Sequence, residues 1–364
     1  MTRFFNRYSW LVASIIISAA SLHYGYCISN TPQKSIQITS YDNGYVLYLN
    51  EFKDDEVNKP INDGLAAYNI VKDGADSFSP YCMVIKTTAG QIVAGLLTDI
   101  CKSESRSELS HDTPSSADRR PDLCLLHNFW VDEKHSKAGL DTAMIHALIN
   151  HMYAVQCPTI QWETWEFYDG LKDFFEQQGF ETIATLPSPK EITGYEGYVM
   201  RKTINNHTKL CTPIFDNQKY QLIEEESWNQ DHHQFVSDKV DELFVAHAQI
   251  LAQDPFTLFI TLPTGQIIAG GIGTIIQVKN YGTYCTLNRL WVHENYRKHG
   301  LGSDIMAAVD RYACRKKCKM IQLETYEWQA KGFYEKQGFA TIATVANPDN
   351  SFGMEQYYMR KVLA

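Results

Sequence analysis

The chain repeats itself once. CLLHNFWVDEKHSKAG at 124–139 aligns with CTLNRLWVHENYRKHG at 285–300, so Trp130-Val131 falls on Trp291-Val292 at an offset of 161. QWETWEFY at 161–168 faces QLETYEWQ at 322–329, and FFEQQGFETIAT at 174–185 faces FYEKQGFATIAT at 333–344. Both copies close on MRK, at 200–202 and 359–361, and AGQIVAG (89–95) matches TGQIIAG (264–270) upstream. A period near 160 residues far exceeds a solenoid repeat and is the length of a whole domain. Two domains also suit 364 residues, because single cores stop growing at about 250–300 residues. The division this predicts is 31–205 and 206–364, with TINNHT (203–208) as the linker.

Each copy reads the same way. A turn centred on Gly90 or Gly265 joins two runs rich in β-branched residues, a hairpin signal. A strand ending in Trp-Val comes next, then a polar glycine loop, then a helix. Ile305, Met306, Val309, Tyr312 and Ala313 recur at helical spacing in the second copy, as Ile145, Leu148, Ile149 and Met152 do in the first. A short strand (TIQWET or MIQLET), a helix ending at Gly179 or Gly338, and closing strands complete the unit. This pattern predicts an α+β fold around a mixed sheet. The first copy carries an extra polar segment at 101–122, 14 residues longer than its counterpart, read as a surface loop.

Composition narrows the partners. A formal charge of −9 argues against sequence-independent nucleic-acid binding, which needs a basic surface. Arg3 and Arg7 precede an apolar run from Trp10 to Leu22, which is short for ~30 Å of hydrocarbon. Residues 1–27 therefore read as a secretory signal or a retained membrane anchor, and the chain as exported or anchored. A start upstream of a cytoplasmic enzyme is the alternative. Nine cysteines show no CxxC pair and no Cys/His spacing for zinc, so no metal is expected.

The strongest local motif is Arg297-Lys298-His299-Gly300-Leu301-Gly302, between a strand and an amphipathic helix. A helix start presents unpaired N–H groups and partial positive charge, and glycines let a diphosphate approach the main chain. Arg297 and Lys298 add charge. LWVHENYRKHGLGSDIM followed by LETYEWQAKGFYEKQGF resembles the GNAT superfamily of N-acetyltransferases over about 155 residues of the second copy. The first piece is similar to its R/Q-x-x-G-x-G/A coenzyme A motif, and the second to its late strand–helix segment.

The resemblance implies two tandem GNAT-like domains, each a mixed, mostly antiparallel sheet flanked by helices, with acetyl-CoA as co-substrate and an amine as acceptor. Backbone groups of Leu290, Trp291 and Val292 would pair with the pantetheine arm. The amides of Lys298, His299, Gly300, Leu301, Gly302 and Ser303 would hold the pyrophosphate, with Arg297 beside them. Tyr334 matches the tyrosine that protonates the departing thiolate. Glu324 is the candidate general base, with a structural glutamate as the plainer reading and Asn288 and His293 as weaker candidates. A helix around 240–252 would be the substrate-side element. The acceptor, whether a small-molecule amine or a protein lysine, is not readable. A non-catalytic binding module and an acyltransferase for longer acyl groups are the rival functions.

The first copy keeps the scaffold and loses the chemistry. Ser136 stands for Arg297, Asp141 for Gly302 and Phe175 for Tyr334. A carboxylate at Asp141 would repel phosphate by about 1 kcal/mol in water and ~4 at an effective dielectric of 20. This copy is expected not to turn over acetyl-CoA. Cys124 and Cys157, like Cys285 and Cys318, begin strands that would be parallel neighbours. Either these pairs are bridged in an exported protein, or they are buried free thiols.

Overall fold

In the computed structural model, the strands and helix at the start of the chain do not all join the sheet of their own repeat. Residues 35–363 are described, apart from 74–76, 103–120, 167–169, 188–195, 209–215, 217, 226–228, 248–249, 327–328 and 347–354. The leader at 1–27 and most of the polar insertion at 101–122 thus lie outside the described residues. Among those residues no helix is long and apolar enough to cross a membrane.

The first half comprises β1 (Ile36–Ser40), β2 (Val46–Asn50), α1 (Asp55–Asp73), β3 (Ser77–Thr87), β4 (Ile92–Lys102), β5 (Pro121–Val131), α2 (Leu140–Ala154), β6 (Thr159–Trp165), α3 (Leu171–Gln177), β7 (Glu181–Leu186) and β8 (Gly197–Thr203). The second comprises β9 (Tyr220–Glu225), α4 (Gln230–His247), β10 (Ile250–Thr261), β11 (Ile267–Val278), β12 (Gly282–Val292), α5 (Leu301–Arg315), β13 (Cys318–Tyr326), α6 (Lys331–Lys336), β14 (Ala340–Val345) and β15 (Gln356–Val362). The hairpins turn where expected, with Gly90 and Gly265 at φ 83° and 86°, a region that favours glycine.

Two sheets form, in the orders β1-β2-β10-β11-β12-β13-β15-β14 and β7-β8-β6-β5-β4-β3-β9. Apart from β1 they are the same sheet twice, with β2 and β9 exchanged between the halves. β2 pairs with β10 (Leu258↔Leu49, Ile260↔Leu47), and β9 pairs with β3 (Val84↔Ile223). The helices are exchanged as well. α1 packs on β10, β11 and β12, while α4 packs on β3, β4 and β5. The boundary at 205/206 therefore separates sequence repeats, whereas each sheet draws on both sides of it. The expected substrate-side helix at 240–252 is corrected by the same exchange. α4 ends at His247, β10 begins at Ile250, and the helix over the C-terminal sheet is α1.

Close contacts fix each helix on its sheet. A Cβ on Gly270 would meet Ile61 Cδ1 of α1 at 2.2 Å, and a Cβ on Gly64 of α1 would meet the Trp291 indole at 2.2 Å. Thr257 Oγ1 donates to Asn58 Oδ1 at 2.6 Å, fully buried. On the other sheet Gly95 receives Val236 of α4 in the same manner. Residues 58, 61 and 64 thus correspond to His233, Val236 and Lys239 at an offset of 175.

The halves meet along β7 and β14 through Leu186, Val199, Val345 and Tyr358. The arginines of the two MRK motifs bond reciprocally across this seam. Arg201 Nη1 donates to the Ala346 carbonyl at 3.0 Å, and Arg360 Nη2 to the Pro187 carbonyl at 2.6 Å. Cys124, Cys157, Cys285 and Cys318 are buried thiols not joined in disulfides, so the bridged alternative is corrected. Register is the reason: Thr283 faces Cys318 and Cys285 faces Ile321. The two thiols are staggered by two to three residues, roughly 7–10 Å along the strands, too far for a relaxed bridge.

Candidate active site

The site forms where a strand pair stops pairing. β12 runs parallel to β13 only as far as Thr286↔Gln322. Just beyond, Ile272 faces Arg289 and Gly273 faces Leu287, so Asn288 is an extra residue in β12. This bulge bends the strand and re-aims the side chains beyond it. From Leu287 to Val292, β12 keeps β11 on one side and, among the described residues, has no strand on the other. A cavity of about 570 Å³ opens in this gap. Its lining includes Leu290, Trp291, Val292, Arg297, Lys298, Gly300, Leu301, Gly302, Ser303, Glu324 and Tyr334. Of the residues expected from sequence, His299, whose side chain is exposed, and the weaker candidate His293 fall outside this wall.

The floor at one end is the start of α5. Gly300, at φ 84°, turns the chain into the helix, and no side chain caps it. Among the described residues, no protein acceptor takes the N–H groups of Leu301, Gly302 or Ser303. A Cβ at Gly302 would lie 3.4 Å from the Phe333 ring, an ordinary contact. The protein's own packing thus does not demand glycine there. A ligand approaching the bare main chain would.

Of the titratable groups that line the cavity, Tyr334 and Glu324 are the two expected to move protons. Tyr334 is buried on α6, and burial pushes its phenol up, so the hydroxyl keeps its proton across the physiological range. Glu324, on the splayed part of β13, is pushed up to about 8 by burial, against the opposing bond from Gln356 Nε2 at 2.9 Å. Across the seam its counterpart Glu163 receives the Tyr358 hydroxyl at 3.0 Å. Burial, and then the charge of Glu324, hold Glu163 well above the usual carboxylate range. The two acids therefore share a site that resists two negative charges. His293, the weaker base candidate, caps a short 3-10 turn by accepting from the Asn295 amide.

Sequence reasoning missed the roof. Leu65 and Tyr68 of α1 line the cavity, more than 200 residues upstream of the loop they cover. Only the glycine at position 64, unusual inside a helix, signals that something large must lie against this face.

The counterpart site in the other half is closed. Gly139, at φ 69°, opens α2 as Gly300 opens α5, but Asp141 accepts the Thr142 amide at 2.7 Å. One helix-start donor is thereby spent. Between the splayed strands, Trp162 and Phe175 lie with ring centroids 3.8 Å apart, and Phe129 packs on Phe174 and Phe175 at 6.0 and 5.5 Å. The equivalents of Phe129 and Trp162 are Leu290, which lines the open cavity, and Leu323, which is buried in the core.

Residues 244–341 match the family described as "Acetyltransferase (GNAT) domain". This region of the chain belongs to the GNAT acetyltransferases. It is the superfamily that the motifs of the second copy resemble. Blasticidin-S acetyltransferase of Streptomyces morookaense is 28% identical over 117 residues, 31% of this chain and 82% of that protein. Among solved structures, an acetyltransferase from Bacillus cereus is 25% identical with a TM-score of 0.32, covering 38% of this chain and 96% of that one. Arabidopsis thaliana Naa50, in complex with the bisubstrate analogue CoA-Ac-MVNAL, is 19% identical with a TM-score of 0.26, covering 29% of this chain and 72% of that one.

Proposed function

We propose that this chain transfers the acetyl group of acetyl-CoA to a primary amine by direct attack in a ternary complex, at the cavity beside β12. The observation that carries this reading is the unclaimed set of helix-start amides at Leu301, Gly302 and Ser303, opening onto a gap of about 570 Å³. Those amides, with Lys298 and Arg297, would seat the pyrophosphate. The free edge of Leu290–Val292 would pair with the amides of the pantetheine arm as a strand does. Tyr334, held protonated, would give its proton to the departing thiolate. Glu324 would take the proton from the incoming ammonium. The half bearing Asp141 and Phe175 would serve as scaffold.

The test is release of free thiol by the full chain given acetyl-CoA and a panel of amines. Polyamines, amino sugars, a lysine peptide and blasticidin S, which the Streptomyces relative is named for, belong in that panel. With Glu324 pushed up to about 8, kcat/KM should climb with pH to a plateau beyond pH 8. Glu324→Gln should lower the plateau and remove that limb; an unchanged profile would remove Glu324 from the mechanism. Stability should respond in the opposite sense. A carboxyl raised on folding contributes stability below its unfolded value of 4.5 that is lost as pH rises toward about 8. Glu324→Gln should therefore raise Tm relative to the parent at pH 8 and not at pH 4.5.

A further inference from the structure

The arginine beside the helix-start amides is held by a residue from the far end of the chain. The Arg297 guanidinium carbon lies 4.4 Å from the centroid of the Tyr68 ring, and Arg297 Nε donates to the Val292 carbonyl at 3.0 Å. Both residues line the cavity. Tyr68 comes one helical turn after Gly64 and so lies on the same face of α1, the face fixed against Trp291 and Gly270. At the offset of 175 its counterpart in α4 is Leu243, and the counterpart of Arg297 is Ser136. The half that lacks the arginine also lacks the tyrosine.

We propose that Tyr68 is a positioning residue for the coenzyme: its ring holds the Arg297 guanidinium at the pyrophosphate end of the cavity before the ligand arrives. A free arginine must lose much of its rotamer freedom when it grips a phosphate. A guanidinium already stacked on an aromatic face loses less. The coenzyme site is thus composite, completed by the helix that the other repeat lends. This inference rests on the reading of Arg297 as a phosphate-side group.

The experiment titrates coenzyme A into the full chain by calorimetry, with Tm measured on every variant. Tyr68→Leu should weaken binding roughly three- to tenfold, the range of a partly desolvated cation–π contact, while Tyr68→Phe, which keeps the ring, stays within about twofold. KM for acetyl-CoA should rise with Tyr68→Leu more than kcat falls. In an Arg297→Ala background, Tyr68→Leu should have no further effect on affinity. If it weakens coenzyme A equally with and without the arginine, Tyr68 acts through general packing and the proposal is overturned. It is also overturned if Tyr68→Leu leaves affinity unchanged while Arg297→Ala lowers it. Unchanged affinity in Arg297→Ala itself would instead remove Arg297 from the coenzyme site, and the inference with it. Should Tyr68→Leu fail to fold, Tyr68→Met of similar volume gives the same comparison.

Discussion

The two halves build the same helix start and use it in opposite ways. In one, Gly300 turns the chain into α5 and leaves the first amides to whatever enters the cavity. In the other, Gly139 makes the same turn, and the carboxylate of Asp141 consumes the Thr142 amide. The strands beside them diverge alike, with bulges at Asn288 and at His127, which bonds Asp99 at 2.8 Å. One gap stays open beside Leu290, and the other is packed by Phe129, Trp162 and Phe175. A scaffold of this kind makes a ligand site by default, and side chains then close it. Keeping a site is largely a matter of what is left out.

The most severe way to break the comparison is to cut the chain at the repeat boundary. A fragment of 206–364 lacks β2 and α1. It leaves the edge of β10 unpaired at Thr257–Thr261 and loses Leu47, Leu49 and Ile61, all buried to 1% exposure or less. At about 1.5–3 kcal/mol for each such side chain, the loss approaches the ~5–15 kcal/mol that holds a typical domain. The fragment should neither melt cooperatively nor bind coenzyme A. A folded fragment with the affinity of the full chain would show that the exchange of β2 and α1 is dispensable.

That exchange marks the limit of what the sequence showed. Hairpins, helices and the strand–loop–helix at Trp291–Leu301 were legible because apolar period and glycine position are local properties. The open wall of the site was legible for the same reason, since Val292, Gly300 and Gly302 sit within one short loop. β2 and α1 lie on the other sheet, where Gly64 meets Trp291 and Ile61 meets Gly270. Those contacts span more than 200 residues and have no periodicity to betray them. The repeat itself misled, because matched copies imply self-contained domains. Register decides between the two readings of the cysteines: the strands that bear them are neighbours as expected, but a stagger of two to three residues separates the thiols and leaves them unbridged.

Two substitutions carry features of the closed half into the open one. Tyr334→Phe, copying Phe175, keeps the ring and removes the proton, and should lower kcat by roughly 10²-fold or more while KM for acetyl-CoA changes little. Steady-state rates at saturating acetyl-CoA decide it, and an unchanged kcat would leave the thiolate without its assigned acid. Gly302→Asp, copying Asp141, should weaken coenzyme A binding by about tenfold or more through like-charge repulsion at a few ångströms. Its Cβ has room beside Phe333, so Tm should hold or rise as the carboxylate meets the helix start. Equal affinity of this variant and its parent would place the diphosphate elsewhere.

The smallest effect comes from the reverse exchange, Asp141→Gly. If one carboxylate alone closed the first site, removing it would create coenzyme A binding there. Trp162 and Phe175 still occupy the space between the strands, at 6% and 0% exposure, and no arginine stands at Ser136. Calorimetry should therefore find one site per chain, as in the parent. The variant loses a first-turn carboxylate and gains glycine inside α2, a combined loss of about 1–2 kcal/mol. A modest fall in Tm with unchanged stoichiometry is the expected result. A second equivalent of bound coenzyme A would mean that the aromatic cluster yields to the ligand and that Asp141 by itself is the lock.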